Sequence, residues 1–255
     1  MIRADFHCHT RYSHDCFASV PKVLDMARRR ELTHLAITDH DAIEGAQRAR
    51  DRAEGIEIIV GCEVSLEGGA HLIGLFLERQ PTARTARELI DEIHSQDGFV
   101  VLPHPFQPVA GIFHQGVDEG LLSLVDAIEV CNGFEPPERN EQALALARFR
   151  KLPALVGSDA HYVADIGRAC VLFPEASGAL TPEILRVAPR KLFGPARDLS
   201  ALHMADSRFR ANTARSLRQA VPKPLRKLAK RANWLRFQRQ ISNLCGEPLR
   251  KEILL

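Results

Sequence analysis

A chain of 255 residues, 45% apolar and 26% charged, is long enough for one large α/β domain and has the makeup of an ordinary globular protein. The formal net charge of +2 points to no partner, no apolar run approaches the ~20 residues that span a bilayer, and the N-terminus lacks a basic segment followed by an apolar one. The six cysteines lack CxxC spacing and sit mostly in apolar runs, which predicts reduced, packed thiols and a cytoplasmic protein.

The chain opens with Asp5-Phe6-His7-Cys8-His9-Thr10, read as a strand. Residues two apart on a strand share a face, so His7 and His9 can reach one ion while Phe6 and Cys8 turn away. Alone, the tripeptide is better read as a half-buried strand with two polar residues on its wet side. A polar loop over 11–16 leads to a helix from about Pro21, capped by Ser19, with Val23, Leu24 and Ala27 on its apolar face. A buried strand over 33–38 ends at Asp39-His40-Asp41. A helix over 44–52 stops at Gly55, and a strand over 56–60 delivers Gly61-Cys62-Glu63 at its end. Strand 71–76, helix 84–95 and strand 99–102 follow, the last exiting into Pro103-His104-Pro105. The stretch 106–120 has no sustained period and reads as a loop with a short helix. Strand 125–130 carries Glu129, helix 138–149 follows, and strand 154–156 runs into Gly157-Ser158-Asp159-Ala160-His161. A last strand at 169–173 and a short helix at 182–187 complete the pattern.

Apolar runs alternating with amphipathic helices predict βα units around a mainly parallel sheet, and six or seven units suggest a barrel. His40, Glu63, His104, Asp159 and His161 all fall where a strand stops, the rim that carries the active site in α/β barrels. His71, at a strand's start, reads by itself as a core histidine. Each motif is weak alone, but the ordered set is hard to obtain from unrelated structural needs. Imidazole and carboxylate donors without thiolates suit Mn²⁺, Fe²⁺ or Zn²⁺. The candidate ligands exceed what one ion needs, so two or three ions are implied, with a carboxylate such as Glu63 able to bridge a pair.

These motifs resemble the polymerase and histidinol phosphatase (PHP) superfamily of metal-dependent phosphoesterases, over roughly residues 3–175. The resemblance implies a distorted (β/α)7 barrel with up to three metal ions at its rim. It also implies His7 and His9 as ligands of a first ion shared with Glu63 and Asp159, Glu63 bridging to a second ion held by His104 and His71, and a third ion on His40 and His161. The loop ligand of that third ion is His14 or Asp15, with Asp15 preferred. Asp39 is expected to orient an imidazole from behind, and Glu129 to line the site or serve as a rim carboxylate.

The chemistry that such a site supports is phosphoester hydrolysis by a metal-bound hydroxide, with the ions also holding the phosphoryl oxygens. Asp159, His161 and His14 are the candidate catalytic residues for proton movement. Arg168 and Arg11 are candidates for clamping phosphate with a guanidinium fork.

Residues 1–195 are thus expected to form the barrel and 196–255 a basic helical extension. From 197 onward, fourteen Lys or Arg face four Asp or Glu, and helices are predicted over 204–220 and 225–243. Leu225, Leu228, Ala232, Leu235 and Phe237 give the second helix an apolar side. Packing on the barrel with the basic face near the mouth is the preferred role, and a nucleic-acid grip is the runner-up. The expected function is hydrolysis of a small phosphorylated metabolite or nucleotide. The alternatives are 5′–3′ trimming of oligonucleotides and a non-catalytic module stapled by metal. A metal-dependent amidohydrolase fits poorly, because those barrels use a lysine at a strand end and none occurs between Lys22 and Lys151.

Overall fold

The computed structural model of the chain describes residues 1–112, 119–203, 223–244 and 250–254. The strands are β1 (Ile2–Asp5), β2 (His34–Ile37), β3 (Glu57–Ser65), β4 (His71–Leu75), β5 (Phe99–Leu102), β6 (Ala127–Asn132), β7 (Ala154–Gly157), β8 (Cys170–Phe173), β9 (Lys191–Pro195) and β10 (Arg250–Ile253). The helices are α1 (Val20–Arg29), α2 (Glu44–Arg50), α3 (Ala86–His94), α4 (Pro137–Arg150), α5 (Pro182–Val187) and α6 (Lys223–Leu244). The sheet order is β10-β9-β8-β1-β2-β3-β4-β5-β6-β7.

Strands β1 to β3 are parallel, and so are β5 to β7, but β4 runs against both of its neighbours. Beyond their ends, β1 and β7 meet. Cys8 and Ala160 form an isolated parallel bridge, with Asp159 N donating to His7 O at 2.8 Å and His9 N to Ala160 O at 3.1 Å. The seven strands β1 to β7 therefore curl into a distorted barrel, the α/β architecture that the alternating pattern predicts. Every residue of β2, β5 and β6 is buried, as expected of strands covered on both faces.

Several local expectations change. Strand β1 stops at Asp5 instead of Thr10, because the Asp5 carboxylate accepts from His7 N and then from Ser158 N and Gly167 N across the barrel. Strand β3 runs on past Glu63 to Ser65, since the reversed β4 gives it a hairpin partner in which Glu63 faces Ile73. Ser19 begins α1 through its carbonyl, which accepts from Val23 N at 3.0 Å, and not through its hydroxyl. Part of the irregular stretch, 113–118, lies outside the described residues, and a short 3-10 turn follows at Glu119–Ser123. Strands β9 and β10 add an antiparallel flank beside β8, so the end of the extension joins the barrel's sheet.

The helix expected over 204–220 lies outside the described residues, as do Cys245 and the Leu225 side chain. Helix α6 buries Trp234, Phe237 and Ile241, whereas Leu228 and Leu235 are exposed. Among the described members of the expected stripe only Phe237 is buried, with Leu228, Ala232 and Leu235 exposed, because the barrel selects the aromatic side of the helix. None of the five described cysteines forms a disulfide, and all are buried. Among the described residues, no helix is long and apolar enough to cross a membrane.

Candidate metal centre

The parallel strands end at one rim, and their exits place His7 and His9 after β1, His40 after β2, His104 after β5, and Asp159 and His161 after β7. Because β4 is reversed, its first residue sits at the same end as its neighbours' last ones. That is why His71, paired with Ser65, reaches Glu63. His104 (φ 26°) and Asp159 (φ 50°) both occupy the left-handed region, a sharp turn at the strand exit that aims each side chain inward. Gly157 has no side chain for a packing reason: a Cβ there would collide with His7 Cβ and Glu129 Oε1.

Glu63 is the centre of the cluster. Its Oε2 lies 3.2 Å from His7 Nε2, 3.3 Å from His9 Nε2 and 3.2 Å from His40 Nδ1. Its Oε1 lies 2.7 Å from His71 Nδ1 and 2.9 Å from His104 Nε2. Asp159 Oδ1 is 3.1 Å from His9 Nε2 and 3.4 Å from both His7 Nε2 and His161 Nδ1. Asp15 Oδ2 stands 2.8 Å from His161 Nε2 and 3.8 Å from His40 Nε2. All nine residues named from the sequence as candidate ligands thus converge on one region.

The donor set fits cations. His7 Nε2 and His9 Nε2 point at each other across 3.1 Å, both are buried, and at most one proton can lie between them. Overlapping triads such as His7–His9–Glu63, His9–His40–His161 and His40–Glu63–His71 each offer ligand atoms within 4.8 Å of one another. Such a concentration of lone pairs and negative charge is stabilised by divalent ions or by protons. Burial opposes a charge on His7, but Asp159, Glu129 and Glu63 outweigh it and hold the ring well above the usual imidazole range. Burial likewise opposes charge on His9, yet hydrogen bonds to Asp159 and Glu63 lift it to about 10. His40, where burial dominates, falls to about 4. The carboxylates of Glu63, Asp159 and Asp15 would be raised by burial, but the surrounding imidazoles hold all three below their ordinary values.

Around this cage sit supporting groups. Glu129 Oε1 is 3.0 Å from His7 Nδ1, and Oε2 accepts from His104 N at 2.9 Å and Asn132 Nδ2 at 2.9 Å. Asn132 also donates to Asp159 Oδ2 at 3.2 Å. Sequence reading missed Asn132 and Asp5; the signal for Asp5 was an acidic residue at the buried end of the opening strand. Asp39 was expected behind an imidazole, but its carboxylate instead accepts from Thr10 N at 2.5 Å and Thr10 Oγ1 at 2.7 Å, and so pins the loop after β1. Ser13 Oγ donates to Asp15 Oδ1 at 2.9 Å.

The remaining candidates are spread out. His14 is exposed, its ring 5.0 Å from that of His40, and it forms a further triad with Asp15 and His40. Arg11 is exposed on the rim loop, with its guanidinium over the Tyr12 ring at 5.5 Å. Arg168 is buried at 3% exposure; one terminal nitrogen lies 3.2 Å from Asp165 Oδ1 and the other donates to the Arg197 carbonyl at 2.6 Å.

A distorted seven-stranded α/β barrel with a cage of imidazoles and carboxylates at its rim defines a class of metal-dependent hydrolase folds. Within that class, the PHP domain model matches residues 5–175, and the chain belongs to this family. The uncharacterized protein MJ1587 of Methanocaldococcus jannaschii is 29% identical over 147 residues, which are 52% of this chain and 83% of the relative. Among solved structures, PsfC from Pseudomonas syringae PB-5123 superposes with a TM-score of 0.63 at 22% identity, over 84% of this chain and 100% of that one. A two-domain protein from Bacteroides vulgatus ATCC 8482, containing a predicted PHP-like metal-dependent phosphoesterase, gives 0.54 at 19% identity over 75% of this chain and 57% of that one. Endonuclease Q, in complex with a 27-mer duplex substrate bearing an abasic lesion at the active site, gives 0.57 at 16% identity over 74% of this chain and 57% of that one.

Proposed function

We propose that the chain is a metal-dependent phosphoesterase that hydrolyses a small phosphorylated metabolite or nucleotide at this rim. The observation that carries this reading is the Glu63 carboxylate, with three imidazole nitrogens around one oxygen and two around the other. That arrangement suits a bridge between two cations better than it suits a structural ion pair. His7, His9 and Asp159 would complete one position, His71 and His104 a second, and His40, His161 and Asp15 a third. The nitrogen and oxygen donors favour Mn²⁺, Fe²⁺ or Zn²⁺. When bound, such ions supply an activated water and positive charge opposite the phosphoryl oxygens.

The chain's own residues supply the remainder. The family's carboxylates and imidazoles hold their geometry before substrate arrives, so little reorganisation is needed during attack. His14, exposed beside His40, is placed to carry a proton between the site and solvent. Arg11 on the rim loop offers a guanidinium to a substrate phosphate, a role for which Arg168 has fewer unengaged donors. Replacing His7 and His9 together by Ala should abolish hydrolysis of p-nitrophenyl phosphate and bis-p-nitrophenyl phosphate. Unchanged turnover would overturn the reading.

A second reading, an oligonucleotide substrate, is favoured by one feature: α6 carries Lys227, Lys230, Arg231, Arg236 and Arg239 exposed and no acidic residue, and it packs beside the segment that follows β7. Incubating the Mn²⁺-loaded protein with short single- and double-stranded oligonucleotides separates the two. Cleavage whose affinity falls steeply with salt supports the nuclease, and turnover restricted to small esters supports the first reading.

A further inference from the structure

The segment 159–163 carries Asp159 and His161 away from β7, beyond the bridge of Ala160 with Cys8. Its main chain is held from a distant part of the sequence. Trp234 of α6 donates its indole N–H to the His161 carbonyl at 2.8 Å, and Cys16 Sγ donates to the same oxygen at 3.2 Å. One turn further along α6, Gln238 Oε1 accepts from Val163 N at 2.8 Å. The Trp234 ring lies nearly parallel to Tyr162, at 5.8 Å and 21°, and against Phe17 at 6.1 Å. It is 5% exposed, and Phe237 and Ile241 bury the same side of the helix. On the opposite side of this anchor, the His161 ring faces Asp15 at 2.8 Å through Nε2 and the Asp159 carbonyl at 2.9 Å through Nδ1.

We propose that Trp234, supported by Gln238, is a positioning residue for His161, so that the C-terminal helix is an integral part of the cation cage. A buried carbonyl needs a donor, and here the N–H donor comes from α6 at 2.8 Å while Cys16 offers only a weak thiol at 3.2 Å, so the helix sets the depth at which His161 enters the cage. Small displacements of a ligand held by such supporting bonds weaken a metal site strongly. A tryptophan that merely fills space would not need its N–H aimed at the backbone of a cage residue. The inference rests on the metal reading above and assigns to the extension a role in the site that its basic surface does not require.

Trp234 is the sole tryptophan of the chain, so its emission reports this contact directly. The test combines Mn²⁺ binding by equilibrium dialysis, intrinsic fluorescence during the titration, and thermal unfolding by circular dichroism. In the unmodified protein, at least one Mn²⁺ binding step should change Trp234 emission, and His161→Ala should abolish that change. Trp234→Phe keeps an aromatic ring and removes the N–H; it should weaken one binding step by about tenfold and leave the others within twofold. Gln238→Leu, at a less buried position, should weaken the same step several-fold and serves if Trp234→Phe does not fold. If the unmodified protein binds no Mn²⁺, the metal reading itself fails. If it binds Mn²⁺ with constant emission, or if the folded variants bind every ion with unaltered affinity, the positioning role is overturned while the metal reading stands.

Discussion

Glu129 Oε1 stands 3.0 Å from His7 Nδ1, while the opposite ring nitrogen, Nε2, points into the cage. Accepting the Nδ1 proton fixes the tautomer that leaves Nε2 as a ligand, and the other oxygen of Glu129 holds His104 N and Asn132 Nδ2. Glu129→Gln can satisfy only part of this set, because its amide nitrogen must face a donor. Mn²⁺ affinity by calorimetry should fall about 10- to 100-fold. Unchanged affinity would reduce Glu129 to a rim carboxylate.

Much of the architecture was legible because the two signals it depends on are local. Strand β5 and helix α5 fall at the expected residues, and the motifs at strand exits place His7, His9, His40, Glu63, His104, Asp159 and His161 in one cluster. What was not legible depends on partners. A period-two pattern carries no direction, so the reversal of β4, which brings His71 to the rim, could not be read from its residues. Strands β9 and β10 are short flanking strands, and β9 contains Gly194 and Pro195, residues that weaken a strand reading. On α6, Leu228 and Leu235 share helical spacing as well as Trp234, Phe237 and Ile241 do, and only contact with the barrel decides between the two stripes. Asp39 next to His40 looks like an acid supporting its neighbour, yet the loop geometry gives its oxygens to Thr10.

Gly157 ends β7 against His7 and Glu129, where an added methyl would meet both. Gly157→Ala must shift the His7 segment or the Glu129 carboxylate, so it should destabilise the fold by about 1–3 kcal/mol and weaken metal binding together. Urea unfolding and dialysis, run on the same samples, check the coupling. Loss of stability with intact binding would show that the relaxation runs away from the cage.

Arg168 is buried against Asp165, with the Arg197 carbonyl on its other nitrogen. Removing one partner of a buried pair leaves an uncompensated charge, so Arg168→Met should cost about 3–5 kcal/mol of stability. KM for a phosphate ester should change little in the fraction that folds. A large rise in KM without loss of stability would support the phosphate-clamp role.

Burial pushes the thiols of Cys62 and Cys131 up to about 12, and Cys8, Cys16 and Cys170 are buried as well. Thiolate is the reactive form, so at pH 8 none of these five cysteines of the native protein should react with a disulfide reagent within minutes. All six should react on unfolding. Rapid native reaction of more than one thiol would contradict the packing.

Metal binding should be strongly pH-dependent, with a sign that the cage determines. Against the opposing effect of burial, neighbouring carboxylates raise the pKa of His7, His9 and His104, so without ions protons are favoured among these rings, with at most one between His7 Nε2 and His9 Nε2. A cation can use their nitrogens only by displacing those protons. Affinity for Mn²⁺ should therefore rise between pH 6 and pH 8, by more than about tenfold per pH unit if more than one proton leaves. Calorimetry in buffers of different ionisation enthalpy counts the protons released. At a free ion concentration about 100 times Kd, the bound metal should add about 2.7 kcal/mol of stability, and chelation should remove it. Affinity independent of pH would mean that the ions bind elsewhere than among these imidazoles.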